Sequence, residues 1–270
     1  MIKKGGNPFF NIYFISMSKE KQLKINNEII ELVNERKDSN QGFSKNELKF
    51  LEKYSGAGGI DKSTRGALYE FYTPWVIIEK MWGLAFKHGF ENGRIMEPAC
   101  GTGRFFRYIN PEINTVDAYE FSKDNDISYQ IAKACYPWVN ITFDYFESYF
   151  YSKNYNRLKD IQEKYDLVIG NPPYGKFTGF YANKKMELKD FSGTSYPEYF
   201  IHASMKILKP GGLIVFIMPS SFLQKDGIQS LKFKGKLANQ AELIEAYRLP
   251  YGAFDFTQIN TDIIVLRKNS

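Results

Sequence analysis

The sequence predicts an α/β fold: a doubly wound, seven-stranded, mostly parallel sheet with an antiparallel last strand, preceded by N-terminal helices. Three observations predict it. Short continuous apolar runs alternate with helical stretches, the pattern of strands buried on both faces. The last two runs are separated only by residues 251–260, about ten, whereas a parallel crossover usually needs a dozen or more, so the final strand has to reverse. Finally, 270 residues at 43% hydrophobic content suffice for one large core.

Residues 1–16, MIKKGGNPFFNIYFIS, carry two lysines and a short aromatic stretch broken by Asn11. A signal peptide needs a longer apolar region and a small-residue cleavage site, so this segment reads as an extension or disordered tail. Residues 17–74 read as a helical region. Ile25, Ile29, Ile30 and Val33 recur at helical spacing, 44–54 continue as a second short helix, and the glycine-rich turn at 55–59 stops it. The main domain, 75–270, opens with a third helix over 74–89, with Pro74 in its first turn. Strands are expected at 94–97, 115–121, 139–146, 166–170, 213–218, 243–249 and 262–266, with helices at 128–134 and 196–208 between them.

Composition narrows the function classes. The longest apolar run falls far short of the ~20 residues that span a bilayer. Cys100 and Cys135 cannot build a disulfide scaffold, which fits a reducing, cytoplasmic setting, and two cysteines with two histidines make a poor zinc set, so no metal is expected. A net charge of +6 permits a polyanionic partner without requiring one.

The chemistry-bearing motifs follow the strands, where open α/β sheets bind ligands. The first strand runs into Glu97-Pro-Ala-Cys-Gly-Thr-Gly103, in which Gly101 and Gly103 let the backbone approach a ligand and turn sharply into a helix. It is neither a pyrophosphate fingerprint nor a P-loop, since Arg104 is followed by Phe105 and Phe106. Glu120 ends the next strand at the spacing from which a carboxylate reaches ribose hydroxyls, so the pair suggests an adenosine-containing ligand held without a diphosphate. The fourth strand ends in Asn171-Pro-Pro-Tyr174. Two prolines freeze the backbone and aim an exposed tyrosine into the cleft, and their carbonyls stay free to accept. An amide oxygen beside a rigid carbonyl can hold both hydrogens of an exocyclic amine, while the ring stacks on a planar heterocycle.

Together, Glu-Pro-Ala-Cys-Gly-Thr-Gly followed by Asn-Pro-Pro-Tyr resembles the S-adenosylmethionine-dependent N6-adenine DNA methyltransferases, over roughly residues 48–268. The resemblance implies a Rossmann-like methyltransferase fold, S-adenosylmethionine as cofactor and double-stranded DNA as substrate. It assigns the catalytic amine acceptors to Asn171 and Pro172, and stacking of a flipped base to Tyr174 and Phe254, with Phe256 the alternative. It places Tyr72, Thr73, Glu97, Ala99, Gly101, Gly103, Glu120, Asp144, Tyr145 and Asn171 around the cofactor, Tyr72 and Thr73 on its methionine part and Asp144 and Tyr145 on its adenine. Segments Leu208-Lys-Pro-Gly-Gly and Arg248-Leu-Pro match the family's fifth strand and closing motif. The turn at 54–59 also resembles methyltransferase domains of helicase fusions in mobile elements, so a restriction-modification or phage setting follows.

No covalent intermediate is needed, so Cys100 reads as packing, and His88 and His202 as surface or core residues. Lys176, Lys184, Lys185 and Lys189, with Lys225, Lys232, Lys234 and Lys236, are expected in two loops on the catalytic rim, where they would contact phosphates. Many members of the resembled family carry a target-recognition domain or a long insertion that this chain does not show, which implies low specificity, a partner specificity subunit or a larger fusion. Three rival readings stand beside the leading one: an RNA adenine methyltransferase, a glutamine N5-methyltransferase sharing Asn-Pro-Pro-Tyr, and a non-catalytic DNA-binding subunit.

Overall fold

The computed structural model describes residues 18–56, 72–121, 125–150, 162–177, 191, 193–224, 226–254 and 259–270. The segment expected to be an extension, 1–16, lies outside them, as do Lys184, Lys185, Lys189, Lys225 and Phe256.

Helix α1 (Lys19–Ser39) starts where the Ser18 side chain accepts the Lys21 amide and stops at Asn40, whose φ of 52° leaves the helical region. A reciprocal cap of Ser44 and Glu47 opens α2 (Lys45–Leu51). Both bury an apolar stripe against α4 (Ile127–Cys135): Ile29, Val33, Leu51 and Tyr54 meet Ile127 and Ile131. The N-terminal helices therefore share a core with the helix that follows the second strand. Helix α3 (Trp75–Lys87) buries Ile77, Ile78, Met81, Trp82, Leu84 and Ala85.

The sheet has seven strands in the order β3-β2-β1-β4-β5-β7-β6. They are β1 (Gly93–Glu97), β2 (Asn114–Glu120), β3 (Asn140–Phe143), β4 (Tyr165–Gly170), β5 (Leu208–Pro219), β6 (Ala241–Arg248) and β7 (Thr261–Lys268). The first five pair in parallel, and β7 runs antiparallel to both β5 and β6, as the short connection before it requires. Side chains of a strand alternate between faces, and the two cores divide accordingly. Ile95, Leu167, Val215 and Ile263 join α3 and the Arg104–Tyr108 turn on one face; Met96, Val168, Ile214 and Ile264 join α5 (Tyr196–Ile207) on the other. Asp117 ties four strands together at its level, accepting from Arg94 of β1, Asn140 of β3 and the Tyr165 hydroxyl of β4.

Two expectations need correcting, and one gains detail. The helix expected after Gly103 is a short 3-10 helix, Arg104–Tyr108. The Trp82 indole takes the Phe105 carbonyl at 3.0 Å, and the Ile109 amide bonds three residues back to Phe106. The third strand is shorter than 139–146: it ends at Phe143, the Asp144 carboxylate accepts the Tyr145 amide at 2.8 Å, and the chain turns into a second 3-10 helix, Phe146–Phe150. Lys232, Lys234 and Lys236 lie on α7 (Ile228–Ala238), which follows the one-turn α6 (Ser221–Gln224), instead of in a loop. There the buried Phe233 holds the helix down, and Lys234 donates to the Leu223 carbonyl at 3.1 Å.

Candidate active site

Because β1 to β5 are parallel, Glu97, Glu120, Phe143, Gly170 and Pro219 end along one edge of the sheet, and the antiparallel β7 enters the same edge at Thr261, opposite Pro219. Nearly every sequence-predicted site residue stands on that edge or in the loop that follows it.

The glycine turn after β1 is held from three sides. Gly101 has φ of 54° and Gly103 φ of 77°, both in the left-handed region. A Cβ on Gly101 would stand 2.7 Å from the Tyr72 ring, and one on Gly103 2.7 Å from the Phe106 ring. The Gly101 amide donates to the Glu120 carboxylate at 2.6 Å, and the Cys100 amide to the Tyr119 carbonyl at 2.9 Å, so the turn hangs on the end of β2. Tyr72, 56 residues away from Ser128 in sequence, shares a hydroxyl–hydroxyl hydrogen bond with it on α4. Thr73 is buried beside Tyr72, and Ala99 is half-buried.

Glu97 is 1% exposed, and neither of its carboxylate oxygens finds a partner among the described residues. Its side chain lies beside Gly170 at the end of β4. Burial, reinforced by the Glu120 charge, pushes its carboxyl well above the usual carboxylate range. Such a group calls for a cation or a donor. Cys100 is buried; burial and then the charges of Glu120 and Glu97 push its thiol up, so the residue packs as a neutral thiol. Asp144 sits one residue beyond β3, and the Tyr145 ring lies 4.0 Å from that of Phe121.

Beyond β4, the Tyr174 hydroxyl donates to Asn171 Oδ1 at 2.9 Å. Tyr174 is half-buried, where an exposed ring was expected: it leans on the α3-side core, which also contains the buried Phe254. Burial, and then the Asp262 charge, push the Tyr174 hydroxyl up, so it remains a donor. The carbonyl oxygen it binds keeps a second lone pair. Asp262 is itself buried and paired with Arg248. On the other side of this loop, a cavity of about 490 Å³ is lined by Gly175, Lys176, Ser195, Pro219, Ser221 and Phe222.

Sequence reasoning gave no role to Ser128 or Arg104. Each acts through a contact with a segment remote in the chain.

Residues 85–254 match the Eco57I restriction-modification methylase family. The chain belongs to that family. It is also similar to Defense against restriction protein B of Escherichia phage P1, with 28% identity over 246 residues, 90% of this chain and 10% of that protein. Type II methyltransferase M.HincII of Haemophilus influenzae is 31% identical over 182 residues, 64% of this chain and 32% of that protein. The chain thus spans between a tenth and a third of the length of these relatives. The family's fold is seen again in the type I restriction-modification methyltransferase subunit of Streptococcus thermophilus, at a TM-score of 0.60 and 20% identity, covering 83% of this chain and 49% of that one. The M protein of type I restriction enzyme EcoKI superposes with a TM-score of 0.54 at 15% identity, over 93% of this chain and 66% of that one.

Proposed function

We propose that this chain transfers a methyl group from S-adenosylmethionine to the N6 amine of a flipped adenine in double-stranded DNA, in a restriction-modification or phage setting. The observation that carries the reading is the Asn171 amide oxygen, held by Tyr174 at the end of β4, one residue past the Gly170 against which the orphaned Glu97 lies.

The residues fit the cofactor. The unpartnered, buried Glu97 carboxylate suits a ligand ammonium; Glu120 at the end of β2 suits ribose hydroxyls; Asp144 and Tyr145 suit an adenine edge and face. The missing Cβ atoms of Gly101 and Gly103 let the Tyr72 and Phe106 rings pack against the turn, with Tyr72 as its wall. When bound, S-adenosylmethionine supplies an electrophilic methyl group on its sulfonium.

The protein's own contribution is positional and electrostatic. The N6 lone pair of adenine is delocalised into its ring and attacks poorly. Asn171 Oδ1 and the Pro172 carbonyl would accept the two amine hydrogens, stabilising positive charge where it develops on nitrogen. Tyr174, by donating to Oδ1, fixes which end of the amide faces the amine. Base flipping brings the amine within reach, with Tyr174 and Phe254 as the stacking surfaces. Lys176, exposed on the rim, would contact a phosphate. Since longer relatives share only this portion, target recognition would come from a specificity subunit or from a larger fusion.

The deciding experiment is tritiated methyl transfer from S-adenosylmethionine to unmethylated genomic DNA, with RNA as the parallel acceptor and nucleoside analysis of the product. N6-methyladenine in the DNA is the expected result. Methylation of RNA alone, or cofactor binding without transfer to either acceptor even with added specificity subunit, would refute the DNA-adenine reading.

A further inference from the structure

Arg104 follows the glycine turn directly, and its guanidinium is buried. Nη2 donates to the Tyr54 carbonyl at 2.8 Å and, at a longer 3.4 Å, to that of Glu52; Nη1 reaches the Thr73 carbonyl at 3.3 Å. Its carbon centre stands 5.4 Å from the Tyr72 ring and 5.5 Å from the Trp75 ring. A buried cation ordinarily takes a carboxylate. Among the described residues this one takes none within salt-bridge distance; three backbone carbonyls and two aromatic faces meet its two Nη groups and its planar face instead, and its buried Nε finds no partner among those residues.

Those carbonyls belong to two separate stretches, the end of α2 and the lead into α3. The second stretch carries Tyr72, whose ring lies over Gly101 and whose hydroxyl is bonded to Ser128. We propose that Arg104 is a positioning residue for the cofactor site: by gripping the Glu52, Tyr54 and Thr73 carbonyls together, it holds Tyr72 against Gly101 and makes the N-terminal helical region the outer wall of that site. The inference rests on the cofactor reading above. The planar fork is what permits the grip, since a lysine offers one compact charge that cannot span three carbonyls. Loosening it frees the Tyr72 wall while leaving Asn171 and Tyr174 untouched. The effect therefore falls on cofactor affinity, and spares turnover at saturating cofactor.

The test compares wild type, Arg104→Met, Arg104→Lys and Ile207→Ala, the last removing buried core at the end of α5, just before β5 starts at the opposite edge of the sheet from the site. S-adenosylmethionine Kd is measured by calorimetry, and kcat, KM for cofactor and KM for DNA by methyl transfer. Both Arg104 variants are expected to raise Kd and cofactor KM on the order of tenfold, the worth of about one lost charge-assisted hydrogen bond. Their kcat and DNA KM should stay within about twofold, and Ile207→Ala should lower the melting temperature without moving Kd. Unchanged Kd in the Arg104 variants, or an equal loss of affinity in Ile207→Ala at matched melting temperature, would overturn the proposal. Should Arg104→Met fail to fold, Arg104→Lys, which keeps the charge, carries the same comparison. Wild type that binds no S-adenosylmethionine would overturn both the cofactor reading and this inference. Wild type that binds it but methylates no DNA would overturn the substrate reading alone, and the Kd comparison would still decide the role of Arg104.

Discussion

Substituting Gly101 with alanine separates backbone strain from the loss of a binding surface. At φ of 54° an alanine pays for a left-handed backbone, about 1–2 kcal/mol. Its Cβ would also lie 2.7 Å from Tyr72 Cε1, so the ring has to retreat by roughly 0.7 Å to reach the 3.4 Å of ordinary contact. That retreat pulls on the Tyr72–Ser128 hydrogen bond, whose loss adds about 0.5–1.5 kcal/mol. The sum is about 1.5–3.5 kcal/mol, which for a chain of this size lowers Tm by about 3–14 °C. Gly211 provides a matched control, because its φ is 76° and a Cβ there meets nothing within 4 Å. Gly211→Ala should therefore show the backbone cost alone, about 2–8 °C. In calorimetry, Gly101→Ala should weaken S-adenosylmethionine binding by at least about tenfold, 1.4 kcal/mol, and Gly211→Ala should leave it unchanged. Equal affinities for the two variants would refute the placement of the cofactor at the Gly101–Tyr72 surface.

The other predictions concern the acceptor loop and the buried carboxylate. Asn171→Ala should abolish methyl transfer while S-adenosylmethionine Kd stays at the wild-type value; turnover comparable to wild type would remove Asn171 from the mechanism. Tyr174→Phe keeps the stacking ring but deletes the donor to Asn171 Oδ1, so kcat should fall by roughly tenfold, the worth of one orienting hydrogen bond, with DNA KM little changed. A drop in DNA affinity instead would mean that the hydroxyl serves binding. For Glu97, whose folded pKa is raised by burial and by Glu120, the unfolded chain loses its proton first. Ligand-free stability is therefore highest below the ordinary carboxylate value and declines as pH rises towards the raised one. Glu97→Gln removes that dependence, so its Tm should exceed that of wild type increasingly as pH climbs from about 4.5, while cofactor affinity falls. Parallel Tm–pH curves would show that the carboxyl is not perturbed.

Much of the molecule was legible in the sequence, for local reasons. Strands buried on both faces write continuous apolar runs, and a connection too short for a crossover betrays the reversed last strand. Asn171-Pro-Pro-Tyr174 and the Gly101–Gly103 turn are legible because the constraint lies in consecutive residues: ring closure at proline and the missing Cβ at glycine act on the backbone wherever the segment is placed.

What the chain order does not encode is which distant groups meet. Ser128 and Tyr72 lie 56 residues apart, and Arg104 reaches carbonyls 31, 50 and 52 residues away. The Trp82 indole decides that the turn after Gly103 is 3-10 by taking the Phe105 carbonyl. The sheet order β3-β2-β1-β4-β5-β7-β6 likewise comes from packing two cores against one sheet. Sequence alone determined the strand pattern, the reversal and the residue types at the carboxyl ends of the parallel strands, because backbone stiffness and burial period are local properties. Only the tertiary structure decided that Glu97 is buried without a partner among the described residues, that Tyr174 is tethered to Asn171 in place of standing exposed, and that an arginine binds the N-terminal helices to the glycine turn. Desolvation and hydrogen bonding between remote segments exist only once the chain has closed on itself.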